Sequence, residues 1–367
     1  MLEIALKLLE EINSFGFKSY IIGGFVRDYI LDIESNDIDV ATNATPKEIK
    51  EIFKECCSSS EDYGSVTVIK KGIRFEITTF RKEIGYIDNR RPAKIQYIDD
   101  LYQDLLRRDF TINTICMNSK GEIIDYLSGR NELDKRIIKT VGDADLKFRE
   151  DSLRILRAIR FATILNFSLD KEVVYAIKEN RRLLKNLSYF RKKEELDKIF
   201  ASPYAKRGID ILLEFGLDKY LELENLSKVN YTNSLIGVWS VLNVTDKYPF
   251  TNNEKELILS INKALELNNN DPMALYKYGL YVNSVAGEIK GLDIKNITES
   301  YNNLVIQSRK DLDITSEDIM ITLGTEPGGY LKDIYSDVER EVLYRRLSNE
   351  KDKLLGYIKE KYEDLII

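Results

Sequence analysis

The stretch Ile22–Ala41, IGGFVRDYILDIESNDIDVA, carries a glycine pair, an arginine and two carboxylates one residue apart. In an extended segment, Asp37 and Asp39 project from the same face, because side chains alternate with a period of two. Two anions at that spacing repel each other and are costly unless a cation sits between them. Oxygen ligands suit Mg2+, which keeps one or two protein carboxylates and fills its shell with water and substrate phosphates. Glu76, in FEITTF on an adjoining strand, is available as a third carboxylate. Gly23 and Gly24, between an apolar run and a helix, let the backbone approach a phosphate and turn N–H donors toward it. Arg27, one turn into that helix, can add charge-assisted hydrogen bonds to the same anion. Alone, Asp-x-Asp is usually an exposed edge and Gly-Gly a turn. All of them within 17 residues imply one site.

Composition narrows the chemistry. The 367 residues include no histidine, which excludes histidine triads, HExxH metalloproteases and HD-type phosphohydrolases. The three cysteines, Cys56, Cys57 and Cys116, lack CxxC spacing, so a disulfide frame or thiolate zinc site is not expected and a reduced cytoplasm is. Hydrophobic content of 43% with 32% charged residues is that of a globular protein, and no apolar run is long enough to span a bilayer. The opening MLEIALKLLEEINSFG reads as an amphipathic helix stopped at glycine, unlike a signal peptide. Net charge is −6, yet Lys147–Lys198 carries 14 basic against 8 acidic residues. Such a segment is either a phosphate-facing surface or a solvated helix face.

The elements that must position these groups follow from periodicity. SYII predicts a short buried strand, FVRDYIL a helix, DIDVAT a second strand and PKEIKEIFKECC a helix with Pro46 at its start. Val66–Ile69 and Arg74–Thr79, joined through Lys-Lys-Gly, predict a hairpin. The polar Arg81–Arg91 stretch, with Gly85 and then Pro92, predicts a long mobile loop. YQDLLRRDFTINTI predicts a helix, followed by a short strand pair near Ile115–Asp125. From about Asp145 strand signals stop and successive helices follow, broken at NNNDP and GTEPGG. The pattern is an α+β head of about 140 residues on a long helical remainder, without an internal repeat.

GGFVRDYILDIESNDIDVAT resembles the first motif of the class II tRNA nucleotidyltransferase and bacterial poly(A) polymerase family, GG-x-VRD, an apolar pair, then DxD. Asp32 stands where that family often has glycine, and a loop change is expected there. RRDFTINT (Arg107–Thr114) resembles the second motif, whose arginine and aspartate serve the nucleotide and its ribose. DYLSGRNELDKRIIKTVGD (Asp125–Asp143) resembles the hinge-like third, EDSLRILRAIRFA (Glu150–Ala162) the fourth, and RKKEELDKI (Arg191–Ile199) more loosely the fifth. The ordered motifs cover about residues 20–200. The resemblance implies a DNA polymerase β-like nucleotidyltransferase head over 1–140. It also implies a helical neck reading the base over 141–200, and an elongated helical body and tail binding tRNA over 201–367.

The fourth motif can be read chemically. On a helix, Asp151 and Arg154 are adjacent on one face. Asp only accepts hydrogen bonds and Arg only donates them. Cytosine and adenine pair an amino donor with a ring-nitrogen acceptor, whereas uracil and guanine present the inverse, so this pair complements C and A. Arg157 and Arg160 continue the face. The bland alternative is an amphipathic helix with arginines in solvent.

By resemblance, Asp37 and Asp39 with Glu76 are the catalytic acids, the first two being the Mg2+ ligands. Gly24, Arg27, Arg108, Asp109, Asn113, Asp151, Arg154, Arg157 and Arg160 form the nucleotide site. The implied activity is template-independent addition of CCA to tRNA 3′ ends from CTP and ATP, by two-metal transfer with release of pyrophosphate. The basic neck would contact the acceptor stem through its phosphates. No membrane or protein partner is implied, and a cytoplasmic location is. The loop after TTFR is too long for a CC-adding enzyme, while A-only addition, poly(A) polymerase and a catalytically silent RNA-binding protein remain open.

Overall fold

The computed structural model describes residues 1–35, 37–54, 56–60, 64–87, 91–229, 232–362 and 364. The chain forms two compact units, Met1–Glu224 and Asn225–Ile367. The first is α+β and the second helical, as expected.

Helix α1 (Leu2–Ser14) buries Ala5, Leu8, Leu9 and Ile12, the spacing of one helical face. Strand β1 (Ser19–Ile22) leads through Gly23 into α2 (Gly24–Ile30), and β2 (Ile38–Thr42) follows. Thr45 caps α3 (Pro46–Ile52) in a capping box with Glu48, Pro46 occupying the first turn. That helix stops at Ile52, earlier than the periodicity suggests, and Cys56–Ser60 forms strand β3. The predicted hairpin is β4 (Ser65–Lys70) with β5 (Ile73–Thr79). With β8 (Cys116–Met117) and β9 (Ile123–Ile124) these make a mixed sheet in the order β3-β4-β5-β2-β1-β8-β9, whose β2–β5 pair is parallel. Ile21, Val40, Phe75 and Ile77 are buried in its core. The side chains of Cys56 and Cys57 lie outside the described residues, and Cys116 is a buried free thiol.

Arg81–Arg91 is not a loop. Strands β6 (Arg81–Ile87) and β7 (Arg91–Tyr97) pair antiparallel, and residues 88–90 between them lie outside the described residues. Gly85 and Pro92 suggested punctuation, but a two-stranded ribbon has free edges and tolerates both. The expected helix after it is shorter. Helix α4 (Leu101–Leu106) ends before the arginines, and a single 3₁₀ turn covers Thr111–Asn113.

Next come α5 (Gly129–Lys135), β10 (Ile137–Ile138), α6 (Ala144–Glu150) and α7 (Leu153–Ile164). Strand character does not stop at Asp145. Ser168–Leu169 forms β11, parallel to β10, a two-residue pairing too short to show any period. Helices α8 (Lys171–Asn180), α9 (Tyr189–Phe200), α10 (Ala205–Glu214) and α11 (Asp218–Leu221) complete the first unit.

The second unit holds α12 (Leu235–Leu242), α13 (Asn252–Leu265), α14 (Pro272–Ile289), α15 (Ile294–Asn302), α16 (Ser316–Leu323), α17 (Tyr330–Leu343) and α18 (Lys351–Lys361). NNNDP ends in the Asp271 cap and Pro272 start of α14, as its residue types suggest. Asp337 on α17 accepts from Tyr357 Oη at 2.9 Å and Lys361 Nζ at 2.9 Å, which ties α18 to it. Among the described residues, no helix is long and apolar enough to cross a membrane.

Two local features have measurable consequences. Helix α2 ends in a Schellman motif, with the Asp32 amide donating to Tyr29 O at 3.3 Å and the Ile33 amide to Asp28 O at 2.8 Å. The motif requires a left-handed residue, and Asp32 adopts φ 56° where glycine would be unstrained. Asp32→Gly should therefore stabilise the first unit by about 0.5–1 kcal/mol in urea unfolding.

The second feature is Asp104, fully buried, whose Oδ1 accepts from the Arg81 amide at 3.0 Å and Arg107 Nε at 2.9 Å. Its Oδ2 accepts from Arg108 Nη2 at 3.2 Å. Burial opposes ionisation, but Arg108 and then Arg107 hold the carboxyl below its ordinary value. Asp104→Ala strands those donors and should cost about 3–5 kcal/mol at pH 7. A depressed carboxyl stabilises the fold above its unfolded pKa and loses that contribution as pH falls through the folded value. The difference between wild type and variant should thus shrink in urea titrations at about pH 3.

Candidate active site

Strand β2 alternates Ile38 and Val40, both buried, with the solvent-accessible Asp39. Asp37 immediately precedes the strand, and both aspartates line one cavity of about 660 Å3 with Gly23, Gly24 and Arg27. Gly23 adopts φ 79°, a turn only glycine makes without strain, and leads into α2, whose first residue Gly24 also lines this cavity. Asp39 is open to water, yet the protein around it, then Glu76 and Asp37, push its carboxyl up to about 6. Glu76 is its register partner on β5 and lies on the same sheet face. Among the described residues no group of three or more histidines, cysteines or acids is gathered closely enough to hold a metal. Asp37, Asp39 and Glu76 are therefore neighbours, but not a closed cage.

Behind the carboxylates runs a relay of hydrogen bonds. Arg27, buried and paired with Asp28 at 2.7 Å, donates from Nη1 to Asn113 Oδ1 at 2.9 Å. Asn113 Nδ2 donates to Asp109 Oδ1 at 3.1 Å, and Arg157 Nε to Asp109 Oδ2 at 2.7 Å. The Phe110 amide also donates to Asp109, at 2.8 Å. Burial alone would raise the Asp109 carboxyl, but Arg157 and Asn113 hold it well below the carboxylate range. Asp109 is thus the hub that fixes Arg157 and Asn113. Arg160 reaches Glu195 on α9 at 3.2 Å, while its buried Nε has no hydrogen-bond partner. Burial brings Arg160 down to about 10.

A second cavity is lined by Tyr86, Arg107, Asp151, Leu153 and Arg154, and it shares Arg108, Asp109 and Arg157 with the first. Asp151 is not on the helix as expected. It sits in extended backbone between α6 and α7, and its Oδ1 accepts from the Leu153 amide at 3.0 Å. The acid that was to follow helical spacing acts at the helix start, where free amides attract it. Both groups of the pair still face one cavity. Arg154 is buried, donating from Nη1 to Glu150 at 3.1 Å and Lys147 O at 3.3 Å, and from Nη2 to Arg107 O at 3.2 Å. Tyr86, from the ribbon first read as a loop, lies with its ring 5.9 Å from the Arg154 guanidinium.

Every expected nucleotide-site residue lines one of the two cavities. Sequence reasoning missed Asp104 and Glu195, the acids that hold Arg108 and Arg160. The three- and four-residue spacing of Asp104 to Arg107 and Arg108 was a usable signal. Glu195 pairs across helices and left none. The basic excess of the neck is partly internal, since Lys147, Arg154, Arg160 and Lys192 are buried.

Residues 19–139 match the poly(A) polymerase head domain. Residues 166–226 match the probable RNA and SrmB-binding site of polymerase A, and residues 240–358 match tRNA nucleotidyltransferase domain 2. The CCA-adding enzyme of a Geobacillus species is 35% identical over 382 residues, spanning 95% of each chain. That of Anoxybacillus flavithermus is 36% identical over 377 residues, again over 95% of each. The crystal structure of Bacillus stearothermophilus CCA-adding enzyme in complex with CTP superimposes with a TM-score of 0.86 at 27% identity, covering 98% of this chain and 97% of that one. On fold, motif order and these likenesses, the chain belongs to the CCA-adding enzyme family of tRNA nucleotidyltransferases.

Proposed function

We propose that the protein adds C, C and A to the 3′ end of tRNA without a nucleic-acid template, using CTP and ATP in the cytoplasm. Catalysis is assigned to residues 1–140, base choice to 141–200 and the grip on tRNA to 201–367. The observation that carries this reading is the shared wall of Arg108, Asp109 and Arg157 between two cavities of different chemistry. One has a carboxylate pair and a glycine turn suited to a triphosphate and a cation. The other has an acceptor, Asp151, beside a donor, Arg154.

The first cavity fits Mg2+. Asp39 is pushed upward by the protein packed around it and then by Glu76 and Asp37, so a cation bound there would favour its charged form. A site of two protein carboxylates completed by substrate phosphates is what magnesium accepts. When bound there, it would activate the tRNA 3′-hydroxyl and neutralise the departing pyrophosphate. The rest falls to the chain. The amides after Gly23, with Arg27 and Arg160, bind the triphosphate, and Asp109 keeps Arg157 turned toward it. The hydroxyl oxygen forms a bond to the α-phosphorus as the bond to pyrophosphate breaks.

In the second cavity the four Nη1 and Nη2 donors of Arg154 are spent on Glu150, Lys147 O, Arg107 O and, at 3.5 Å, the Tyr86 hydroxyl, which leaves Nε–H for the base. Asp151 accepts from the exocyclic amino group of C or A. Uracil or guanine would leave both groups unpaired, at about 1–3 kcal/mol each.

The test is purified protein with tRNA lacking CCA, Mg2+ and each labelled nucleoside triphosphate in turn. C is expected first and A after it, with no U or G. Addition of A only to tRNA ending in CC points to an A-adding enzyme, a long A tail to a poly(A) polymerase, and no addition removes the reading. EDTA should stop addition, with Mg2+ restoring it. Asp39→Ala should lower turnover by about a thousandfold or more, equivalent to about 4 kcal/mol of barrier. Asp151→Ala should narrow the preference for C over U by about ten- to a hundredfold while addition continues.

A further inference from the structure

We infer that Phe161 is a positioning residue for the triphosphate, its ring gathering three arginines from head and neck into one anion pocket. This rests on the nucleotidyl-transfer reading above and goes beyond it by naming what aims the arginines. Phe161 lines the first cavity and is only 5% exposed. The guanidinium carbons of Arg27, Arg157 and Arg160 lie 5.2, 5.6 and 4.3 Å from its ring centroid. Phe110 packs against it edge to face at 5.6 Å and fixes its plane.

The arginines do not share an acid. Arg27 is held by Asp28 on α2, Arg157 by Asp109 after α4, and Arg160 by Glu195 on α9. Three carboxylates on separate elements set where each guanidinium is anchored, but none brings the three together. The group common to all three is the Phe161 ring, whose electron-rich face attracts each cation. Crowded guanidiniums repel one another, so the arrangement is relieved by an anion. Arg27, Arg157 and Arg160 all line this cavity, where such an anion would sit. Leucine or methionine would fill much of the ring's volume but offer no such face.

The test uses the full chain, with calorimetric titration of inorganic tripolyphosphate and steady-state kinetics on tRNA ending in CC or lacking CCA. For Phe161→Leu and Phe161→Met, tripolyphosphate binding should weaken about tenfold. KM for CTP and for ATP should rise by that same factor, with kcat changed less than about threefold. Phe161→Tyr, which keeps the ring, should stay within about threefold of wild type in all three. Both apolar variants are checked by circular dichroism, so that either one folding suffices. A folded apolar variant that binds tripolyphosphate like wild type overturns the proposal. So does a KM increase confined to one nucleotide, which would place the effect in the base cavity. If wild-type protein binds neither tripolyphosphate nor nucleotide, the nucleotidyl-transfer reading itself falls.

Discussion

The buried Asp109 carboxylate is the constraint on which the cleft depends. A charge in that position is tolerable only when every acceptor site is filled. Asn113, the Phe110 amide and Arg157 fill them. Through Asn113 the hub reaches Arg27 on α2, and through Arg157 it reaches α7. One acid thus joins the helix that follows the glycine turn to the helix that carries Arg154. Because Asp109 belongs to the wall between the two cavities, the same bonds that satisfy it also fix their separation.

Charge is distributed unevenly around this hub. The arginines of the cleft each have an acid: Asp28, Asp104, Asp109, Glu150 or Glu195. Asp39 on β2, by contrast, has its carboxyl pushed upward, first by the protein packed around it and then by Glu76, with Arg108 opposing the shift. Basic groups are neutralised from behind and held still, while Asp37 and Asp39 line the open cavity. That asymmetry suits a substrate arriving with its own cations. On the function proposed above, the phosphate donors are preorganised and the balancing positive charge comes with the ligand.

Much of this was legible in the sequence. Gly23, Arg27, Asp37 and Asp39 meet in one cavity because strand alternation and a glycine turn are local rules that tertiary packing did not override. The failures were tertiary. Gly85 and Pro92 look like loop residues, and only pairing between β6 and β7 shows that they sit in a ribbon bringing Tyr86 to Arg154. Asp151 has the spacing of a helical partner to Arg154, but capping competes with helix continuation and won. The basic count of the neck suggested a surface, whereas Arg157 and Arg160 are spent on buried acids contributed by other elements.

Asp32 shows which departures from a motif matter. It replaces a glycine usual in the family pattern inside the most diagnostic stretch of the chain, yet the backbone still closes the Schellman turn after α2 with φ 56°. Aspartate visits that region at modest cost. The turn needs a conformation, and so does Gly23 at the other end of the helix, with φ 79°. Gly23 lies with Asp39 Oδ2 3.8 Å from where a Cβ would stand, and Gly24 with Arg27 Nη2 at 3.7 Å. Both are ordinary van der Waals distances, so it is the positive φ of Gly23, not a lack of room, that calls for glycine there. The position of Asp32 and the Gly23–Gly24 pair eight or nine residues before it therefore differ: aspartate tolerates the conformation at the first, while the pair lines the cavity with Asp37 and Asp39.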